Sequence, residues 1–291
     1  MAEFLQAIAV GLAIGVMYAL TAVGIVLIYK TCKIFNFSQG GFLMLGAFFF
    51  WQLTSALGFP IWLSLLVLIV LAFVLGFGFE RFPLRPMYGQ PEMAVITMTI
   101  GLYVLLNAIV MIVWGGAQVR YYPPFFLADP LTLGPFFFSQ PQIWGFGIAL
   151  LLFIMVSAYF QYTRGGLSMR ALAEDNQVAQ SIGIGINWIT AITWTLAVGT
   201  AMAAGILLGA IGGVVPYMCE TGLKALAVAM LGGLESLGGC IIAGIIIGVC
   251  EMLATIYLGR GTQEVVAYVI LMAVLIFRPY GLFGLKEIER I

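Results

Sequence analysis

The chain has 291 residues, 63% hydrophobic and 8% charged, with no net charge at neutral pH. Soluble domains carry about 25% charged residues, so this composition specifies an integral membrane protein and offers no basic surface for nucleic acid. Histidine is absent, which removes the commonest general base and the commonest metal ligand. Cys32, Cys219, Cys240 and Cys250 show no CxxC spacing and read as small apolar packing residues.

A hydrocarbon core of about 30 Å takes about 20 apolar residues as helix, and the charged residues divide the chain against that ruler. The first apolar run, residues 4–29, is 26 long and lacks a basic leader, so it reads as a retained span that ends at Lys30 and Lys33. Residues 34–79 are uncharged, and Gly58-Phe59-Pro60 divides them into a second segment near 40–57 and a third near 61–80, closed by Glu80, Arg81 and Arg85. A fourth segment lies near 93–114. Residues 115–141 hold five prolines with Arg120, Asp129, Phe126 and Phe136 to Phe138, the composition of an aromatic interfacial loop. The fifth segment is near 143–163, the sixth near 187–212, the eighth near 237–258 and the ninth near 264–277, stopped by Arg278-Pro279. Residues 223–234 form a seventh run too short to span as helix.

Between the fifth and sixth segments, Arg164 to Gly183 is polar and carries Arg164, Arg170, Glu174 and Asp175. The spacing predicts a short amphipathic helix at the membrane surface, with Met169, Leu172, Ala173, Val178, Ala179 and Ile182 on one face and Arg170 positioned to pair with Glu174. An ordinary connecting loop and a docking helix for a soluble partner are both compatible with this stretch alone. With the N-terminus outside and nine crossings, nine basic residues fall inside, namely Lys30, Lys33, Arg81, Arg85, Arg164, Arg170, Arg278, Lys286 and Arg290. Only Arg120, Lys224 and Arg260 then fall outside. This bias puts the polar stretch and the C-terminus in the cytoplasm and requires residues 223–234 to carry the chain across as a half-helix.

The order contains a symmetry. A spanning segment followed by a small-residue stretch occurs at Asn36–Gly46 and again at Thr221–Gly233. The expected division is repeat 1 over about 4–114, a connector at 143–163, a cytoplasmic stretch at 164–186 and repeat 2 over 187–278, with inverted topology. Transport pathways lie at such repeat interfaces, lined by broken helices. The paired glycines Gly40-Gly41, Gly232-Gly233 and Gly238-Gly239 are expected to break helices beside a cavity, and Gly11/Gly15, Gly205/Gly209 and Gly244/Gly248 to pack them. The path candidates are Asn36, Gln39, Gly40, Lys224 and Glu251. Lys224 and Glu251 either pair in the outer half of the membrane or snorkel to its interface.

No nucleophile–base set, metal cluster or G-x-x-x-x-G-K-[ST] loop is present, so an enzyme is not indicated and any ATP chemistry belongs to another chain. A self-contained channel or ion-coupled carrier is the rival reading, but a carrier would keep acidic residues near the midplane, and Glu251 alone qualifies.

Ile34–Gly46, IFNFSQGGFLMLG, resembles the INFAHGEFFMLGA stretch of permease subunits of bacterial branched-chain amino-acid ABC importers. Arg170–Ile184, Gly222-Leu-Lys-Ala225, Leu231–Gly239 and Arg278–Gly284 resemble further motifs of the same family, in the same order. Ser38, Gln39 and Gly41 stand where the family has Ala, His and Glu, and Glu235 stands in place of a Gly. The fit is closer to the LivH-type partner, since the additional N-terminal helices of the LivM-type partner are missing. The resemblance implies an all-α membrane protein of the ABC importer permease fold, with about eight or nine spans. It also implies a bacterial inner-membrane location and a heterodimer with a second permease subunit. Two ATP-binding subunits would be reached through Arg170, Glu174, Asp175, Asn176, Ala179 and Gly183, and a periplasmic binding protein would deliver the solute. No cofactor is expected in this chain.

Overall fold

The computed structural model describes residues 2–116, 118–123, 131–133, 136–259, 261–278 and 280–284, and the side chains of these except at 2, 131–136 and 176. The expectations attached to Phe126, Asp129, Arg260, Pro279, Lys286 and Arg290 lie outside the described residues.

Eleven α-helices follow one another among the described residues. They are α1 (Ala2–Cys32), α2 (Gln39–Trp51, extended by a π-turn Gln52–Ala56), α3 (Ile61–Phe79, extended by turns through Met87), α4 (Glu92–Trp114), α5 (Gln140–Tyr162), α6 (Arg164–Glu174), α7 (Asn176–Ser181), α8 (Ile186–Gly212), α9 (Thr221–Gly232), α10 (Leu237–Tyr257) and α11 (Thr262–Phe277). A 3-10 turn, Pro216–Glu220, leads into α9. The proline-rich loop contains a small antiparallel hairpin, β1 (Leu131–Leu133) with β2 (Phe136–Phe138), which its composition did not suggest. Six of the helices, α1, α3, α4, α5, α8 and α10, are long and apolar enough to cross a membrane.

Side-chain contacts sort the connections into two ends. At one end Lys30 and Lys33 meet Glu235, Thr190 meets Glu80, and Leu282 bonds the backbone of Leu231. At the other end Gln6 meets Phe137, Arg120 pairs with Val214 and bonds the carbonyl of Trp114, and Ser55 meets Tyr121. Lys30, Lys33, Arg81, Arg85, Arg164, Arg170 and Arg278 all belong to the first, basic end, and Arg120 belongs to the opposite end.

Two crossings are made half by irregular backbone and half by helix. After α1 ends at the basic end, residues 33–38 run inward and α2 starts at the buried Gln39. After α8 ends at the opposite end, residues 213–220 run inward and α9 starts at Thr221. The two helix starts meet in the interior: a Cβ on Gly40 would collide with the Cys219 carbonyl and Gly222 Cα, and one on Gly222 would collide with Gly40. Only glycine at both positions permits this approach. Residues 213–232 therefore carry the chain across.

Packing partners exchange between the two halves. α1 lies along α10 as α8 lies along α3, and α9 contacts α1 and α11 as α2 contacts α8 and α4. The matched helices α1 and α8 run antiparallel, because Gly24 of α1 faces Ala197 and Thr200, and the loop following α1 lies beside the residues that open α8. α1 and α10 also cross antiparallel, Gly11 against Gly248 and Val249 and Gly15 against Gly244. The buried face of α1 is mainly apolar, including Met17, Leu20, Val23, Ile25 and Leu27, and also buries Tyr18, Thr21 and Thr31.

Two expectations are corrected and a third is decided. Five of the six paired glycines serve close approach, since Gly40 meets Gly222, Gly41 lies under Leu106, Gly232 meets Gly239 and Gly233 meets Gly284, whereas Gly238 is exposed with nothing near its Cβ. The polar stretch is two helices, because Asp175 leaves the helical conformation to cap α7. Of the two alternatives for Lys224 and Glu251, the structure has the pair and not the snorkelled side chains, because α9 starts deep in the bundle.

Replacement of Gly15 by Leu forces α1 from α10. The variant is expected to lose at least about 1–3 kcal/mol of stability, read as a lower melting temperature in detergent, whereas Gly147→Leu, with nothing within 4 Å of its Cβ, leaves it unchanged.

Candidate site: a buried polar core and a basic end

The head of α2 is held by side chains. Asn36 Nδ2 donates to Gln39 Oε1 (3.0 Å), and Asn36 Oδ1 accepts from the Ser38 backbone N–H (3.0 Å) and hydroxyl (2.5 Å). Gln39 Nε2 donates to the carbonyls of Thr21 on α1 (3.2 Å) and Ala197 on α8 (2.9 Å). Gly24 leaves the space this amide occupies. Asn36, Ser38 and Gln39 are fully buried, and their donors are taken up by the protein. They fasten the half-helix to both long helices and present no free group to a solute.

The head of α9 is held by charge. Lys224 Nζ stands 3.1 Å from Glu251 Oε1, with side chains 14% and 5% exposed. Tyr18 of α1 donates to Glu251 Oε2 (3.0 Å), and its ring lies beneath Lys224 at 5.8 Å. This network links α1, α9 and α10. Tyr18 reaches back toward Glu251 because side chains on a helix tilt toward its N-terminus.

At the basic end, α6 and α7 form one ledge. Met169, Leu172 and Ala179 are buried, and Thr163 and Asp175 cap the two helices, Asp175 Oδ1 accepting from Gln177 (2.7 Å) and Val178 (3.1 Å). Gly183 turns the chain at φ +86°. Arg170 forms no ion pair with Glu174 among the described residues; its guanidinium lies over the Phe160 ring, which Lys30 also faces. The break at Asp175 changes the helical phase, so Val178 (57%) and Ile182 (69%) point outward with Glu174, contrary to the single-helix face. The side chain of Asn176 lies outside the described residues. Between this ledge, residues 31–35 and residues 87–95 lies a cavity of about 790 Å³.

The candidate residues thus form two groups, one in the core and one at the basic end. Sequence reasoning missed two carboxylates. Glu80 is buried and accepts from Thr190 (3.1 Å) and Tyr88 (3.4 Å). Glu220 is exposed at the head of α9. Its signal was a lone acid just ahead of an apolar segment of half length.

Two half-helices meeting within a polytopic bundle define a membrane transport protein. The chain belongs to the family described as "Branched-chain amino acid transport system / permease component", which matches residues 7–277. It is 31% identical to the high-affinity branched-chain amino acid transport system permease protein LivH of Escherichia coli (strain K12), covering 99% of this chain and 98% of that protein. It is 29% identical to the corresponding permease protein BraD of Pseudomonas aeruginosa, with the same coverage. Among solved structures, PsaBC from Streptococcus pneumoniae in complex with Fab shares the fold, with a TM-score of 0.50 and 10% identity over 93% of this chain and 90% of that one. Members of the family are transport permease components, not enzymes.

Removing one partner of a buried ion pair leaves an uncompensated charge and destabilises by about 3–5 kcal/mol. Lys224→Gln and Glu251→Gln are each expected to lower the melting temperature, and the double variant is expected to recover part of the loss. Additive losses in a double-mutant cycle would contradict the pairing.

Proposed function

We propose that this chain is one permease subunit of an ATP-binding cassette importer in a bacterial inner membrane, moving branched-chain amino acids or a related small polar solute. The observation that carries this reading is the family match over residues 7–277, on a sequence with no phosphate-binding loop of its own. The similar LivH and BraD proteins are named as permeases of branched-chain amino-acid transport, and their near-complete coverage of this chain supports the same substrate class here.

The repeat division over about 4–114 and 187–278, with α5 as connector, is supported by the exchange of packing partners and the antiparallel course of α1 and α8. The excess of Lys and Arg at the basic end supports its cytoplasmic placement, with the N-terminus periplasmic and the C-terminus cytoplasmic. The α6–α7 ledge is then the dock for an ATP-binding subunit. Its outward Leu167, Val178 and Ile182, beside Glu174, Asp175 and Gln177, give a partner an apolar patch with a polar rim. Arg170, Ala179 and Gly183 shape the ledge from behind. A second permease subunit completes the pathway, two ATPases drive it, and a periplasmic binding protein supplies the solute. Lys224 and Glu251 anchor the half-helix α9, and Asn36, Gln39 and Gly40 anchor α2, so these path candidates set the positions of path-forming elements.

Val178→Glu with Ile182→Glu is expected to leave membrane insertion intact and abolish co-purification of the ATPase subunits; co-purification at the parent level removes the ledge as the dock. Charge reversal at Glu174 is expected to weaken it severalfold. A cysteine at 177 is expected to be labelled only from the cytoplasmic side, and labelling from the periplasm reverses the orientation.

A further inference from the structure

We propose that the face formed by α4, the 3-10 turn Pro216–Glu220 and α11 is this chain's wall of the solute path, and that the Glu220 carboxylate receives the ammonium group of a zwitterionic solute in transit. The proposal rests on the transport reading above and names the part of the surface that performs it.

The depth of Glu220 comes first. Its neighbour Cys219 is buried, with its Sγ 3.3 Å from the Tyr103 hydroxyl and 3.4 Å from Asn107 Nδ2. Tyr103 stands 11 residues from each end of α4, about 17 Å at the helical rise, which is the midplane of a bilayer. Glu220 is nevertheless exposed, and among the described residues its carboxylate has no hydrogen-bond or ion-pair partner. An ionised carboxylate at that depth is disfavoured against hydrocarbon and turns to a bundle interior or a water-filled cavity.

The surroundings agree. Tyr217 is exposed beside Glu220, and the Tyr103 hydroxyl and the Asn107 amide, one turn apart on α4, both reach its neighbour Cys219. α4 and α11 expose apolar side chains too, among them Val104, Leu105, Val269 and Met272, as α3 and α5 expose Ile69, Val70, Leu151 and Ile154; the Glu220 face differs in holding an exposed carboxylate and an exposed tyrosine among them. The Glu220 face therefore meets water and the second permease subunit.

The charge balance selects the solute group. Lys224, one turn into α9, is neutralised by Glu251. Glu220 has no cation beside it among the described residues, and phenol and amide groups that hydrogen-bond lie next to it. Such a wall complements a primary ammonium, and its tyrosine rings accommodate an aliphatic side chain.

The test uses the co-expressed complex in proteoliposomes and has two readouts. The first is labelling of Glu220→Cys by a water-soluble methanethiosulfonate, counted by intact mass against the parent chain with its own four cysteines. One extra label, slowed by saturating leucine, is expected; no extra label, with reaction only toward a membrane-soluble maleimide, places the face against lipid and overturns the proposal. The second is leucine uptake, expected to fall about tenfold or more in Glu220→Gln, the loss of a hydrogen bond to a charged group, and to be largely restored in Glu220→Asp, with ATPase co-purification unchanged. Parent-level uptake in Glu220→Gln overturns the assignment of the ammonium contact. A parent complex that takes up no leucine counts against branched-chain amino acids as the substrate class instead, and the labelling still decides whether the face meets water.

Discussion

The interior depends on one contact, the meeting of Gly40 at the head of α2 with Gly222 at the head of α9. Two helices that start in the middle of a membrane bring unsatisfied N–H groups and the positive ends of their dipoles into a medium that solvates neither. Glycine at both positions lets the backbones touch, so that water and lipid are excluded from the junction. The same contact fixes the depth of everything attached to it: the amide clamp of Gln39, the Lys224–Glu251 pair and the exposed carboxylate of Glu220.

The two heads are secured by different means. At α2 a neutral network of Asn36, Ser38 and Gln39 reaches carbonyls that already accept within α1 and α8, so no charge is buried. At α9 an ion pair and a tyrosine do the same work. A buried ion pair is no guarantee of stability, because desolvation opposes its attraction. Its value here is positional, since a separated Lys224 and Glu251 would each face low dielectric alone. Along most of the α1–α10 contact the stacked glycines bring the backbones within dispersion range, with the Tyr18–Glu251 hydrogen bond as its polar link.

The ledge at the basic end couples to this interior through short links. Arg170 and Lys30 share the Phe160 ring, and Lys33 bonds Glu235 at 2.5 Å in the turn that follows α9. Under the proposed function, a push on α6–α7 reaches the end of α1, and through Glu235 the foot of the α9 half-helix. The route is made of side-chain contacts and includes no long lever, which suits a motion of one half of the bundle against the other.

Much of the molecule was legible in its residues. The membrane class, the long spans and their limits follow from hydrophobic length, because a bilayer allows only elements that satisfy their own backbone. The partition of Lys and Arg between the two ends, and the need for residues 223–234 to help carry the chain across, also followed from the sequence. Tertiary structure alone decided what pairs with what. Asp175 interrupts the ledge because its side chain caps α7, a local competition that periodicity does not register. All the paired glycines but Gly238 turn out to be contacts, since a missing side chain is equally suited to a bend or to a close approach. Glu220 was overlooked because the depth of a residue on a half-helix depends on where that helix begins, which is set by a glycine distant in sequence, Gly40 against Gly222, and not by any local property of the chain.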